Sequence, residues 1–366
     1  MRRHPAIAAA TALPALALLC SGCQTLGPAS LAAGRGTYTE VIARTNAEQA
    51  LNILVSIRYA EPATLLTVTN IAASMKFSAR IGGEAGIGPQ STYAGNLVPL
   101  SMGVAYEDNP TISYAPVDGQ AFLDQWLAPV SLQTVTLVLQ SSLAADQTPL
   151  LIISRINGLR GGATAPEAER MRFARAIELL CELRRGGAAA WVVGAADPAK
   201  PATGELLLSP TTEADWKSTD EAIELLGLGT RADLVREGVI RLPLVLGFRT
   251  PGFKGIAIET RSVAEVMGYA AASIEVPQEH LESGVALQQP TVAIGSANGL
   301  RIRCTTKPPE HAAVSIQRRG YWYWIDDQDF ASKRTFKDLQ TLFQTRVAQA
   351  TKGAQSVPIL TIPVGH

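Results

Sequence analysis

Histidine and cysteine are scarce in this chain, with four of each among 366 residues. His4 stands near the start and His366 is the last residue, so a serine-type triad would rest on His280 or His311. No serine sits in a G-x-S-x-G elbow, and the order Gly295-Ser296-Ala297-Asn298-Gly299 is the wrong one. S-x-x-K and H-E-x-x-H are absent, and the few His and Cys residues fall at no zinc-ligand spacing. Gly86-Ile87-Gly88 lacks the third glycine of a dinucleotide fingerprint, and there is no P-loop. These absences call for no metal and no cofactor, though they leave open an enzyme that uses only carboxylates. Charge is modest, at 17% of residues, and balanced at 32 basic against 32 acidic. A nucleic-acid partner, which wants a basic face, is therefore not expected. With 47% hydrophobic residues the composition is that of a globular protein, not of a disordered or collagenous one. No apolar run reaches the roughly 20 residues needed to span a bilayer.

What is present begins at the N-terminus. Arg2 and Arg3 precede an apolar stretch from Ala6 to Leu19, and no acidic residue occurs before Glu40. This is the pattern of a secretory signal. Leu19-Cys20-Ser21-Gly22-Cys23 follows and resembles the bacterial lipoprotein cleavage box, departing from it at Cys20. In signals of that kind the final Cys becomes the first mature residue and carries acyl chains. Cys23 is thus the expected lipidation site, its palmitate and other chains giving a stable membrane anchor. By resemblance to enterobacterial sorting, Gln24 in place of Asp points to the outer membrane, with the body in the periplasm. The residues divide into a signal peptide at 1–22, a tether at 23–45 rich in small and polar residues, and two lobes at 46–160 and 161–366, or one continuous domain over 46–366. Cys181 falls in a helical pattern and reads as a buried thiol. Cys304 falls in a strand, and spacing cannot decide whether the two form a disulfide.

The body reads as α+β, with antiparallel sheet elements and packed helices. Thr45-x-x-Glu48 is a capping-box pattern ahead of a helix that ends near Tyr59. Residues 74–81, 100–106 and 111–115 alternate as strands and predict an antiparallel meander around the Gly-rich loop 82–97. Helices are expected at 118–127 and 131–143, and a buried strand at 150–156. Further helices are expected from a box at Thr164-x-x-Glu167 to Arg185, from Ser218-x-x-Glu221 to Leu226, and over 262–272. Residues 312–317 and 321–325 predict a hairpin around Arg318-Arg319-Gly320. A helix with Phe336, Leu339, Phe343 and Val347 on one face follows. Residues 357–364 close the chain as an edge strand carrying two prolines.

One stretch is dense in polar and aromatic groups: Tyr321, Trp322, Tyr323 and Trp324, then Asp326, Asp327, Asp329, Lys333 and Arg334. On a strand the tyrosines face one side and the tryptophans the other. One pair is then core, and the other is a candidate interaction surface. Two readings stand for the acidic residues. They hold a cation or act as acid and base while Lys333 and Arg334 hold an anion, or a carboxylate caps the following helix and the basic groups pair locally. The D-x-D-x-D-G spacing of a calcium loop is absent. Glu279-His280 after Pro277 is a further polar pair, either a dyad or a helix-start contact.

Several runs resemble a group of uncharacterised proteobacterial envelope lipoproteins. They are Asn46-Ala47-Glu48-Gln49-Ala50-Leu51-Asn52-Ile53-Leu54, Ile57-Arg58-Tyr59 with Pro62, Asn109-Pro110-Thr111-Ile112-Ser113-Tyr114-Ala115-Pro116, Arg155-Ile156-Asn157-Gly158-Leu159, Trp324-Ile325-Asp326-Asp327 through Ser332-Lys333-Arg334-Thr335-Phe336, and the closing Leu360-Thr361-Ile362-Pro363. The resemblance spans most of residues 46–364. It implies an envelope location and a shared fold, and it carries over no activity. The expectation is a lipid-anchored, non-enzymatic interaction or assembly module with an envelope protein as partner. The alternatives are a wall or polysaccharide hydrolase working through Asp326, Asp327 and Asp329, or a small-ligand binder.

Overall fold

A computed structural model describes residues 36, 39–62, 66–72, 75–83, 100–108, 111–116, 120–140, 148–162, 164–193, 203–287, 299–353 and 360–363. Cys23, the signal, most of the tether and the loop beyond Gly83 lie outside them. The fold is α+β, with mostly antiparallel strands and packed helices. The chain forms two compact units, residues 36–62 with 129–342 and residues 66–128 with 343–363. Residue 160, the expected boundary between two lobes, lies inside the first of these units. The first helix belongs with residues beyond 129, and the strands that follow it gather the C-terminal strand instead.

In the smaller unit, β1 (Leu66–Ala72), β4 (Thr111–Pro116) and β15 (Leu360–Pro363) form an antiparallel sheet with β4 in the middle. β2 (Met75–Gly83) and β3 (Leu100–Asp108) pair separately, Met75 opposite Asp108 and Gly83 opposite Leu100. The three expected strands exist, but they do not form one meander: both edges of β4 are taken by β1 and β15, which leaves none for β3. Pro363 sits on the edge strand, where a missing N–H is tolerated. Helix α2 (Gln120–Leu127) stacks Phe122 on Trp126 at 5.7 Å, and Trp126 meets Phe343 edge-on at 5.9 Å.

The larger unit is built on a seven-stranded sheet. Its order is β6 (Leu159–Arg160), β5 (Ile153–Ile156), β11 (Ile256–Thr260), β10 (Val239–Leu246), β8 (Thr203–Leu208) and β7 (Ala189–Val193), with β9 (Val235–Arg236) also paired to β10. Only the β10–β11 pair is parallel. Alternation sets the inner face: Trp191, Leu206, Leu242 and Ile258 are all at most 3% exposed. Helix α5 (Glu167–Arg185) buries Phe173, Ile177, Leu180 and Leu183 in the core, as its stripe predicts. Each such side chain is worth about 1.5–3 kcal/mol relative to exposure. Cys181 is buried on this helix, and neither Cys181 nor Cys304 is in a disulfide among the described residues.

Several local expectations are corrected. Residues 150–152 are not strand: α4 (Thr148–Ile152) precedes β5. The buried Arg261 guanidinium donates to the carbonyls of Leu150, Leu151, Ile153 and Gly161 and lies 4.2 Å over the Tyr269 ring. It satisfies carbonyls that a helix end would otherwise leave unpaired. Thr45 starts no helix. Residues 39–58 are already helical, so the end of the expected tether is ordered, and the Thr45 hydroxyl donates to the Ile42 carbonyl at 3.1 Å. Helix α5 begins after Pro166 with no side-chain cap from Thr164. Helix α6 (Glu213–Leu225) runs through Ser218, and Thr212 with Asp215 forms its capping box. Aspartate does there what glutamate does in the motif the eye looks for.

Candidate functional site

The hairpin of β13 (Ala312–Arg318) and β14 (Tyr321–Asp326) forms as its pattern predicts. Arg319 and Gly320 both carry positive φ, +52° and +82°, the geometry of a two-residue turn matched to strand twist. β12 (Arg303–Thr305) pairs on the other side of β14, placing Cys304 directly opposite Tyr323. β14 is therefore the central strand, and its inward residues Tyr323 and Ile325 are fully buried.

Tyr323 points at the end of the first helix. Its hydroxyl lies 2.5 Å from the Tyr59 hydroxyl, and Tyr59 lies 2.8 Å from His280 Nδ1. The Tyr59 ring meets the rings of His280 and Tyr323 edge-on, at 5.6 and 6.2 Å. His280 belongs to the short helix Gln278–Glu282 and also meets the Tyr321 ring edge-on at 5.4 Å. The Tyr321 hydroxyl donates to Glu279 Oε1 at 2.5 Å. Four residues singled out in two separate stretches, Glu279, His280, Tyr321 and Tyr323, thus converge. Tyr59 is the member sequence reasoning missed. Its traces were its place at a helix end and in the run Ile57-Arg58-Tyr59.

Basic groups frame the cluster. Arg319 lies 4.8 Å over the Tyr59 ring, and Arg318 and Arg319 both donate to Glu61. Arg318 also donates to Asn52 Oδ1 at 2.9 Å and Ser56 Oγ at 2.6 Å, which rivets the hairpin to the helix. Burial pushes the Tyr59 and Tyr323 hydroxyls and the Cys304 thiol above their ordinary values. Tyr321 is pushed up by its bond to the Glu279 carboxylate. The Arg319 guanidinium holds the Glu61 carboxyl below the usual range. Arg58 is 7% exposed, and its Nε and Nη1 have no hydrogen-bond partner among the described residues. Nothing in the structure explains that arrangement.

The acidic residues behave differently. Asp329 accepts from the Ser332 N–H at 3.0 Å and from its hydroxyl at 2.7 Å, and so caps α10 (Phe330–Gly353). Asp327 pairs with Lys333 at 2.8 Å, and Asp326 with Arg303 at 3.3 Å. Arg334 lies over the Phe330 ring at 5.7 Å. Asp326, Asp327, Asp329, Lys333 and Arg334 therefore form a capped turn with local ion pairs. Among the described residues no group of three His, Cys, Asp or Glu could hold a metal ion. Trp322 and Trp324 face away from the cluster and are half-buried, with Arg303 5.2 Å over the Trp324 ring. The candidate interaction surface at 321–324 is corrected on this point, because pairing on both edges of β14 draws Tyr323 fully into the core and partly covers its neighbours.

A separate cleft of about 850 Å³ opens at the start of α6 and is lined by Thr211, Thr212, Trp216, Lys217, Asp220 and Arg231. Arg231 pairs with Asp220 and lies 4.2 Å over the Trp216 ring, so one aromatic face is already taken. No protein family, curated protein or solved structure matches this chain. The fold and site define an α+β protein organised around a phenol–imidazole cluster at the foot of a β-hairpin.

Proposed function

We propose that this is a lipid-anchored cell-envelope protein, held through acyl chains on Cys23 with its body in the periplasm, whose larger unit is a non-enzymatic docking module for another envelope protein. The anchor rests on the Leu19–Cys23 box. Docking rests on one observation, the outer face of the seven-stranded sheet. Val192, Glu205 and Pro243 stand in one row across β7, β8 and β10, opposite in sense to the buried Trp191, Leu206 and Leu242. Val192 is 45% exposed, and Phe248, 5.2 Å from the Arg155 guanidinium, is 71% exposed. Two ion pairs, Arg241–Glu205 at 3.6 Å and Arg155–Glu259 at 3.0 Å, punctuate the apolar residues. A mixed apolar and charged face of this kind suits a protein partner. The hydrolase alternative loses support, because each carboxylate it would use is engaged in a cap or an ion pair.

Affinity capture from detergent-solubilised envelopes tests the reading, comparing the intact protein with Cys23→Ala and with the double variant Val192→Glu/Phe248→Glu. A partner retained by the intact protein and lost from the double variant, with folding preserved, is expected. Equal recovery from the double variant would overturn the docking face. Unchanged membrane fractionation of Cys23→Ala would overturn the anchor.

A further inference from the structure

We propose that the open edge of β13 pairs antiparallel with the same edge of a second copy of this chain, joining their sheets into one continuous sheet across a two-fold axis. The inference is independent of the anchor and of the docking face on the larger sheet. The strand order here is β12, β14, β13, and the two outer edges differ. The edge of β12 is covered. Ile274 bridges Ile302, the Glu275 N–H donates to the Ile302 carbonyl at 2.9 Å, and Glu275 Oε2 accepts from the Cys304 N–H at 3.4 Å. Along the outer side of β13 no strand pairs among the described residues.

The register says which groups stand on that side. Antiparallel neighbours alternate between pairs that exchange both N–H···O bonds and pairs that exchange none. The two-residue turn makes Arg318 and Tyr321 a bonded pair, so Ile316–Tyr323 and Val314–Ile325 are bonded too. Ser315 and Gln317 lie opposite Trp324 and Trp322, and they turn their N–H and C=O groups outward. The usual guards of an edge are missing there. β13 holds no proline and no lysine, and its register shift lies between Ala312 and Val314, before these two residues.

A second copy fits this edge by symmetry. Laid antiparallel, Ser315 of each copy faces Gln317 of the other, and each facing pair exchanges both bonds. Ile316 then faces its own counterpart across the closer, unbonded type of pair, and its half-buried side chain gains an apolar neighbour. Charge selects the same direction. Arg318 and Arg319 share the carboxylate of Glu61, which leaves the turn net positive, while exposed Glu310 precedes the strand. Antiparallel pairing brings the acidic end of each copy toward the positive turn of the other. Parallel pairing would set the two positive turns side by side. Because the β12 edge is already covered, this sheet has one edge to offer, and the assembly closes at two copies.

The test is the protein mass of the full-length chain in detergent, by size exclusion with light scattering corrected for bound detergent. The wild type is expected at the mass of two chains. Gln317→Pro removes an outward N–H that β14 does not use, so its circular dichroism should stay native while the mass falls twofold. Ile316→Cys, oxidised, should run at double mass on a non-reducing gel, with mass spectrometry placing the link between two copies of the 316 peptide. Gln317→Cys, whose side chain lies on the other face, should link far less. A wild type at the mass of one chain overturns the proposal, and so does an assembly larger than two copies. A double mass that survives Gln317→Pro, or an Ile316→Cys that stays unlinked, places the contact elsewhere and overturns it too. Should Gln317→Pro fail to fold, the Ile316→Cys link alone decides.

Discussion

At one end of strand β14, Tyr321 and Tyr323 meet Tyr59, His280 and Glu279. At the other, Asp326, Asp327 and Asp329 turn the chain into α10. In sequence the second end is the denser and more suggestive. In space it is local: every carboxylate is answered within the turn, by the next helix or by the neighbouring strand. The first end is sparse in sequence, yet it joins hydroxyls 264 positions apart. Density along the chain reports mostly on local hydrogen bonding. Convergence of a site depends on which elements pack together.

The contrast breaks most visibly at Tyr323. Tyr323→Ala removes a fully buried ring and leaves the Tyr59 hydroxyl short of a partner, and it should destabilise the larger unit by about 3–5 kcal/mol. Urea unfolding followed by tryptophan fluorescence measures it, and a loss under about 1 kcal/mol would mean that the cluster does not anchor the hairpin. At the acidic end, Asp329→Ala deletes a helix cap and should cost about 1 kcal/mol. Asp329→Ser should restore most of that in the same assay, which a catalytic or metal-binding carboxylate would not allow.

The smallest effect separates the ends by pH. Arg319 donates to Glu61 and holds its carboxyl below the ordinary value of 4.5. Glu61 therefore contributes its stability in full above that value, and the contribution fades as pH falls through the lowered folded-state value. Glu61→Gln should cost about 0.5–1 kcal/mol at neutral pH, a figure kept low by partial exposure. The difference from wild type should close below pH 4. A constant difference from pH 7 to pH 3 would refute the assignment.

Much of this was legible in the residues. The alternation of 312–325 with Arg319-Gly320 between the strands marks a hairpin. The stripe Phe336, Leu339, Phe343 and Val347 marks a buried helix face. Asn157-Gly158 marks a turn, and both residues carry positive φ. Where reading failed, a distant group had decided the matter. Residues 150–152 are apolar enough for strand or helix, and Arg261, more than 100 positions away, supplies donors to the helical carbonyls. The meander failed because strand propensity says nothing of which edge is free, and β15 from the far end of the chain takes an edge of β4.

By itself the sequence determined the β13–β14 hairpin, the buried stripes of α5 and α10 and the N-terminal box ending in Cys23, because each depends on a pattern in neighbouring residues. Only the tertiary structure decided that Tyr59, His280 and Tyr323 meet, that Cys304 stands opposite Tyr323, that the aromatic strand lies in the middle of its sheet, and that residues 36–62 group with 129–342. Those outcomes follow from burial of surfaces far apart in the chain, and no local periodicity records which surfaces will be buried against each other.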